Sequence, residues 1–198
     1  ESVSLPPAQT LTDTPGALSA ASNPLNIVII GAGMSGLIAG YELQRAGHQI
    51  TILEARSRVG GRVHTLFSPF ENGQFAEAGA SRIPSNHYLA LDYIDHFNLT
   101  LDLFYPDTLN YFDLVNNTYT LRAAETYVTS SPWPGSVNRN QYFKIRGGMA
   151  RLPMALADSL SDYIVYDAPV EYVEQDSEGV KVTTVSDELF AADRVLCT

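Results

Sequence analysis

One stretch limits what this chain can become: Asn26 to Arg62, NIVIIGAGMSGLIAGYELQRAGHQITILEARSRVGGR. An apolar run, Ile27 to Ile30, enters a turn with glycines at Gly31, Gly33 and Gly36. A helical stretch follows, then a second apolar run that stops at Glu54. The order is strand, tight turn, helix, strand. In a dinucleotide site each glycine serves a separate purpose. Gly31 permits the turn, Gly33 lets main chain approach a pyrophosphate, and Gly36 lets helix and strand pack closely. A helix opening at Met34 and Ser35 aims free N–H groups and the positive end of its dipole at phosphates. Glu54, 18 residues past Gly36, closes the second strand, where an acid can accept hydrogen bonds from ribose hydroxyls. The competing reading is a membrane span, since Thr14 to Tyr41 carries no charge. Glycines at 31, 33, 36 and 40, with Asn23, Pro24 and Asn26, break any apolar helix of the required length, and no membrane contact is expected.

Charge narrows the partners. Acids outnumber bases 22 to 12 in 198 residues, a net charge of -10. Such a surface repels nucleic acid and anionic lipid and favours a small-molecule partner. With 45% hydrophobic residues the chain can bury a sizeable core. A single cysteine, Cys197, rules out an intrachain disulfide and a cysteine-based metal cluster, and its place at the end of an apolar run predicts a buried strand thiol. His48, His64, His87 and His96 have neither HxH nor HExxH spacing, so no metal is expected. Residues 1–24, with prolines at 6, 7, 15 and 24, lack the pattern of a signal peptide and read as an extended arm. Sequons at Asn98-Leu99-Thr100 and Asn116-Asn117-Thr118 hint at secretion.

Within the first unit, Leu37, Ile38, Tyr41 and Leu43 form the expected apolar face of the helix, Glu42, Gln44 and Arg45 face water, and Gly47 ends it. A second glycine turn, Gly60-Gly61, precedes Arg62, whose guanidinium can meet a pyrophosphate bidentately or stay solvated. Small residues from Ala78 to Ser81 let the backbone pass close to something flat. Arg82 beyond them is suited to clamp a carboxylate, and equally to a surface salt bridge. A helix is expected over His87 to Phe97, capped by Ser85 or Asn86. Residues 109–114 and 118–122 read as a hairpin around Asn116-Asn117, and 127–141, with Trp133 between two prolines, as loop. IleArgGlyGlyMet at 145–149 opens a helix to about Leu160, with Pro153 in its first turns. Val170–Gln175 and Val180–Val185 form a second hairpin, and a last apolar strand follows at 194–198.

These residues resemble the flavin-containing amine oxidase family, and within it the L-amino-acid oxidase group. The resemblance runs through IleGlyAlaGlyMetSerGlyLeu at 30–37, LeuGluAlaArg…ValGlyGlyArg at 53–62, GlyAlaSerArgIlePro at 79–84, IleArgGlyGlyMet at 145–149 and AlaAspArgValLeuCysThr at 192–198. The third of these points to amino-acid substrates. The fold implied is α/β: a Rossmann-like FAD-binding domain, with a βαβ unit and a later hairpin, joined to part of a mixed-sheet substrate domain. The divisions expected are an arm at 1–24, FAD-binding segments at 25–66 and 144–198, and a substrate-binding segment at 67–143.

Carried over by position, the resemblance implies FAD held by Gly31, Gly33, Met34, Ser35 and Gly36 at the pyrophosphate. Glu54, Ala55 and Arg56 would serve the adenosine ribose, Gly61 and Arg62 the phosphates, and the main chain of Val170 the adenine. Gly79, Ala80, Ser81 and Arg82 would lie along the flavin ring, with Arg82 holding the substrate carboxylate. The implied reaction is oxidation of an L-amino acid by O2 to a 2-oxo acid, ammonia and hydrogen peroxide. No general base is identified, and Lys144 and Lys181 match no family role. The segment between Arg82 and Gly147 is shorter than the family's helical region, and the regions that the family keeps beyond the position of Thr198 have no counterpart in this sequence. The chain is therefore expected to be one fragment of a processed or shortened enzyme that works with the rest of its polypeptide, as a homo-oligomer, in a secreted setting. The alternatives are a monoamine or polyamine oxidase, and a non-catalytic nucleotide-binding module.

Overall fold

The computed structural model describes Gly16 and residues 18–105, 110–123 and 142–198. Most of the proline-rich arm, the stretch around Trp133 and the short link at Pro132 to Gly135 lie outside the described residues.

At the centre is a four-stranded parallel sheet built from β1 (Asn26–Ile30), β2 (Gln49–Leu53), β10 (Ile164–Val165) and β14 (Arg194–Cys197), in the order β10-β2-β1-β14. Helix α1 (Met34–Arg45) connects β1 to β2. The apolar run of β1 is continuous because both faces of this sheet are covered, and β2 is interrupted only at the half-buried Thr51. Ile27, Ile29, Ile50 and Ile52 pack on one side with Leu37 of α1 and with Leu152 and Leu156 of α3 (Arg151–Asp158). Val28 and Leu53 pack on the other with Val180 and Val182. Those valines belong to an antiparallel sheet of β11 (Val170–Gln175), β12 (Val180–Thr184) and β13 (Leu189–Ala192). Helices, parallel sheet and antiparallel sheet thus form three layers. The expected βαβ unit, the hairpin at 170–185 and the terminal strand are all present, and β14 lies parallel to β1 from Ile27↔Arg194 to Ile30↔Cys197.

A second antiparallel sheet, in the order β5-β9-β6, joins β5 (Ile83–Pro84), β9 (Tyr142–Ile145) and β6 (Leu101–Leu103). Strand β9 straddles the division expected between 143 and 144. Ile83, Phe143 and Ile145 from this sheet and Ile94 from α2 (Tyr88–His96) share the helix-side core. Two short strands, β3 (Thr65–Leu66) and β4 (Ala76–Glu77), pair beside it. The hairpin of β7 (Asn110–Val115) and β8 (Thr118–Ala123) turns at Asn116 and Asn117, with φ of 50° and 58°. Two successive left-handed residues match the right-handed twist of the strands, which is why Asn-Asn makes this turn.

Three expectations fail, one for a local and two for long-range reasons. Glu42 does not face water: it is 6% exposed, and its Oε1 accepts a hydrogen bond of 2.8 Å from the Tyr93 hydroxyl on α2, while its Oε2 is buried with no hydrogen-bond partner among the described residues. Helix α2 covers the side of α1 that periodicity assigns to solvent. Burial, then the bond to Glu42, hold the Tyr93 phenol well above its ordinary pKa. Neither Ser85 nor Asn86 caps α2, whose N-cap is His87 with no side-chain cap bond. A turn in which His87 N–H reaches the Pro84 carbonyl at 3.0 Å takes up those residues instead. Cys197 is exposed, because β14 is an edge strand with β1 as its one neighbour among the described strands.

Candidate functional site

The carboxyl ends of β1, β2 and β14 open into a cleft of about 470 Å3. Parallel sheets leave room there because the connections diverge to opposite faces. Of the residues singled out in the sequence, Gly31, Gly33, Met34, Ser35, Glu54, Ala55, Arg56, Gly61, Arg62 and Val170 all line this cleft. Sequence reasoning missed Ile30, Leu53, Gly60, Val63, Ala168 and Thr198, which line it too. For Ile30, Leu53 and Thr198 a signal existed, since each stands at the carboxyl end of a parallel strand.

Main chain makes most of the cradle. Gly31 N–H donates to the Leu53 carbonyl and Gly60 N–H to the Ala32 carbonyl, each at 2.8 Å, so the first glycine turn is tied to β2 and to the second turn. The turns touch: a Cβ on Gly61 would lie 3.3 Å from the Gly33 Cα, and Gly33 and Gly60 form a parallel bridge. Gly36 lies beneath the cleft, where a Cβ would overlap the Gly31 carbonyl. Gly33 is different. A Cβ there meets nothing within 4 Å, and no acid stands in the first turn of α1. That open space before unneutralised helix N–H groups suits an anion such as a pyrophosphate.

Glu54, 5% exposed, braces both ends of the cradle. Its Oε2 accepts Ala32 N–H at 2.7 Å and its Oε1 accepts Arg56 N–H at 2.9 Å. A carboxylate oxygen accepts more than one hydrogen bond, so capacity remains for a ribose. Arg58 folds back and donates from Nη1 to the Val59 and Gly61 carbonyls, both at 3.2 Å, fixing the second turn. Arg56 and Arg62 are exposed at the rim, and among the described residues neither side chain bonds to protein. Two unpaired guanidiniums over one acid make a cationic rim on a chain of net charge -10.

The small-residue run leaves this cleft along Arg62. Ala80 N–H donates to the Arg62 carbonyl at 3.0 Å and Ala78 N–H to the His64 carbonyl at 2.8 Å; a Cβ on Gly79 would overlap the Arg62 carbonyl. Gly79 is therefore small because its own chain crowds it. Gly79, Ala80, Ser81 and Arg82 are not in the cleft lining, yet the hydrogen bond to Arg62 sets them beside it, with Gly79 and Ala80 exposed. Behind them, Glu77 accepts Thr65 Oγ1–H and Met149 N–H, each at 2.8 Å, and Thr65 Oγ1 accepts Ala150 N–H at 2.9 Å. That latch satisfies free N–H groups at the start of α3, where no local cap exists. Arg82 stands at the far end, exposed, its Nη1 donating to Tyr105 Oη at 2.8 Å.

Comparisons with known proteins bear on the family and the fold. The family described as flavin containing amine oxidoreductase matches residues 34–142 and 122–198. Over 87 residues the chain is 52% identical to YobN of Bacillus subtilis (strain 168), provisionally named an L-amino-acid oxidase, covering 44% of this chain and 18% of that protein. Over 100 residues it is 47% identical to the L-amino-acid oxidase of Trimeresurus stejnegeri, covering 50% of this chain and 19% of the other. The chain thus spans under a fifth of the length of these two curated relatives. Its fold is similar to that of a putrescine oxidase bound to putrescine, with a TM-score of 0.65 and 18% identity over 87% of this chain and 57% of that one. With a matching family description over most of its length and a glycine-built cradle of the matching fold, the chain belongs to the flavin containing amine oxidoreductases.

Proposed function

We propose that the protein is a flavin-dependent L-amino-acid oxidase, and that this chain provides its FAD cradle and the arginine that takes the substrate carboxylate. The observation that carries the reading is the joining of the Gly31 and Gly61 turns, with Glu54 between them, in one cleft whose rim bears Arg56 and Arg62. In it, the N–H groups of Met34 and Ser35 and the Arg62 guanidinium hold the pyrophosphate. Glu54, Ala55 and Arg56 hold the ribose, and the main chain of Val170 meets the adenine. The run from Gly79 to Arg82, beside the cleft, would face the flavin ring. When bound, the flavin supplies the oxidant that accepts a hydride from Cα and is reoxidised by O2 to give hydrogen peroxide. Arg82 orients the carboxylate so that the Cα–H bond faces the ring, a positioning effect. Water then converts the imino acid to a 2-oxo acid and ammonia.

The remainder of the same enzyme's polypeptide supplies the other walls of the substrate pocket, a reading supported by the small share of its relatives that the chain spans. The assembly is a homo-oligomer, and a secreted setting is supported by exposed sequon asparagines, Asn98 and Asn116. The second reading is a monoamine or polyamine oxidase, in which the bond from Arg82 to Tyr105 would serve structure and no carboxylate would meet the guanidinium. The test is an absorption spectrum of the purified full polypeptide, with peroxide release measured on L-amino acids and on amines. A flavin spectrum and peroxide from L-amino acids are expected. A colourless protein overturns the cradle, and peroxide from amines alone favours the second reading.

A further inference from the structure

Arg82 is held from two sides by residues that no motif marks. Its Nη1 donates to Tyr105 Oη at 2.8 Å, and its Cζ lies 5.3 Å from the centroid of the Tyr142 ring. The two tyrosines meet edge to face, with centroids 5.9 Å apart and planes at 85°. Their backbones are fixed in turn: Tyr142 is paired with Pro84 in the register of β5 and β9, and Phe104 N–H donates to the Tyr142 carbonyl at 2.9 Å. Phe104 also packs edge-on to Tyr105, at 4.7 Å between centroids. The guanidinium is thus tied to the sheet that carries it. An exposed arginine otherwise samples many rotamers; a hydrogen bond at one nitrogen and an aromatic ring beside the group restrict it. Among the described residues no carboxylate pairs with Arg82. Its Nε and Nη2 edge, the side-on bidentate edge of the fork, bonds to none of the described residues and can take an incoming anion.

Building on the reading that Arg82 takes a substrate carboxylate, we propose that Tyr105 and Tyr142 are positioning residues that hold this guanidinium with its Nε–Nη2 edge free, and so set the preference for α-amino acids over amines without a carboxylate. The phenol of Tyr105 occupies the one nitrogen that side-on bidentate recognition does not need. Tyr142 limits the tilt of the plane.

The experiment uses the complete enzyme with Tyr105→Phe, Tyr142→Leu, Tyr142→Phe and Arg82→Met. The first two are expected to raise KM for L-amino acids roughly threefold to tenfold each, the range for loss of one hydrogen bond or one cation–aromatic contact. Their kcat for L-amino acids falls as well, because the substrate is aligned less well, while their flavin absorption and the KM for an amine lacking a carboxylate stay as in the parent. Tyr142→Phe keeps the ring and restores KM. Tyr105→Phe removes one oxygen only and carries the test by itself if Tyr142→Leu fails to fold. Unchanged KM in Tyr105→Phe, with KM raised in Arg82→Met, overturns the proposal and leaves the carboxylate reading intact. Unchanged KM in Arg82→Met overturns both.

Discussion

The cradle at the strand ends and the neighbourhood of Arg82 are built on opposite plans. Around Gly31 and Gly61 the walls are main chain, held by N–H to carbonyl bonds and by the absence of side chains; Glu54 enters mostly to accept backbone N–H groups. Around Arg82 the walls are rings: Tyr105, Tyr142 and Phe104 decide where the guanidinium lies. A main-chain wall presents the same donors whatever small residues it carries, which suits a cofactor that is always the same. A side-chain wall can change its preference by single substitutions, which suits a substrate pocket.

The hardest blow to this contrast comes from Gly36→Ala. If the cradle depends on close backbone packing, the added methyl has to displace the Gly31 turn, and a loss of about 3 kcal/mol in unfolding free energy is expected together with loss of flavin absorption. A folded, yellow variant would break the contrast. Tyr93→Phe addresses the join between the two regions, because the Glu42–Tyr93 bond ties α1 to α2. Leaving the buried Glu42 carboxylate without its donor is expected to cost about 2 kcal/mol, read by urea melts, with flavin content unchanged.

The same pair has a pH signature. Since the folded-state pKa of Tyr93 is raised by burial and by Glu42, its contribution is fully present below the unfolded value of about 10 and is lost as pH rises toward the folded value. Melts from about pH 8 to 11 are expected to show this fall in the parent and less of it in Tyr93→Phe.

Gly33→Ala sharpens the contrast. The new Cβ meets no protein atom within 4 Å and the backbone at φ -71° accepts it, so stability changes by at most about 1 kcal/mol from the poorer helix cap. Affinity for FAD is nonetheless expected to fall about tenfold or more, because the methyl occupies the space assigned to the pyrophosphate. Unchanged affinity by flavin titration would mean that the phosphates run elsewhere. The smallest effect belongs to Asp102→Asn, which removes the exposed pair with Arg146 at 2.6 Å between β6 and β9. The Arg146 hydrogen bond holds the Asp102 carboxyl below its usual range, so this contribution is present above the unfolded pKa and lost as pH falls. A small decrease in melting temperature that vanishes in high salt is expected.

What was legible in the sequence follows the same division. Gly31, Gly33, Gly36 and Glu54 could be placed because their spacing reflects one continuous strand–helix–strand path, in which the fold adds little to local geometry. Glu42 could not be placed: helical periodicity describes one helix against one core, and the second neighbour, Tyr93, comes from 51 residues away. The partners of Arg82 were hidden for the same reason, since Tyr105 and Tyr142 reach it through the register of β5, β9 and β6. The closeness of Gly79 to something was visible, but not that the neighbour is the carbonyl of Arg62.

The parallel seam between β1 and β14 has a kinetic meaning. Its two halves are synthesised at opposite ends of the described chain, with Asn26 N–H donating to Asp193 across 167 positions. A nascent protein leaving the ribosome can form β1, α1 and β2 early, yet that edge of β1 stays uncovered until the residues of β14 have emerged. Closing so large a loop is slow, and an unpaired apolar edge attracts other chains meanwhile. Loss to aggregates during synthesis is therefore expected to rise with changes at residues 194–197 that weaken the pairing with β1.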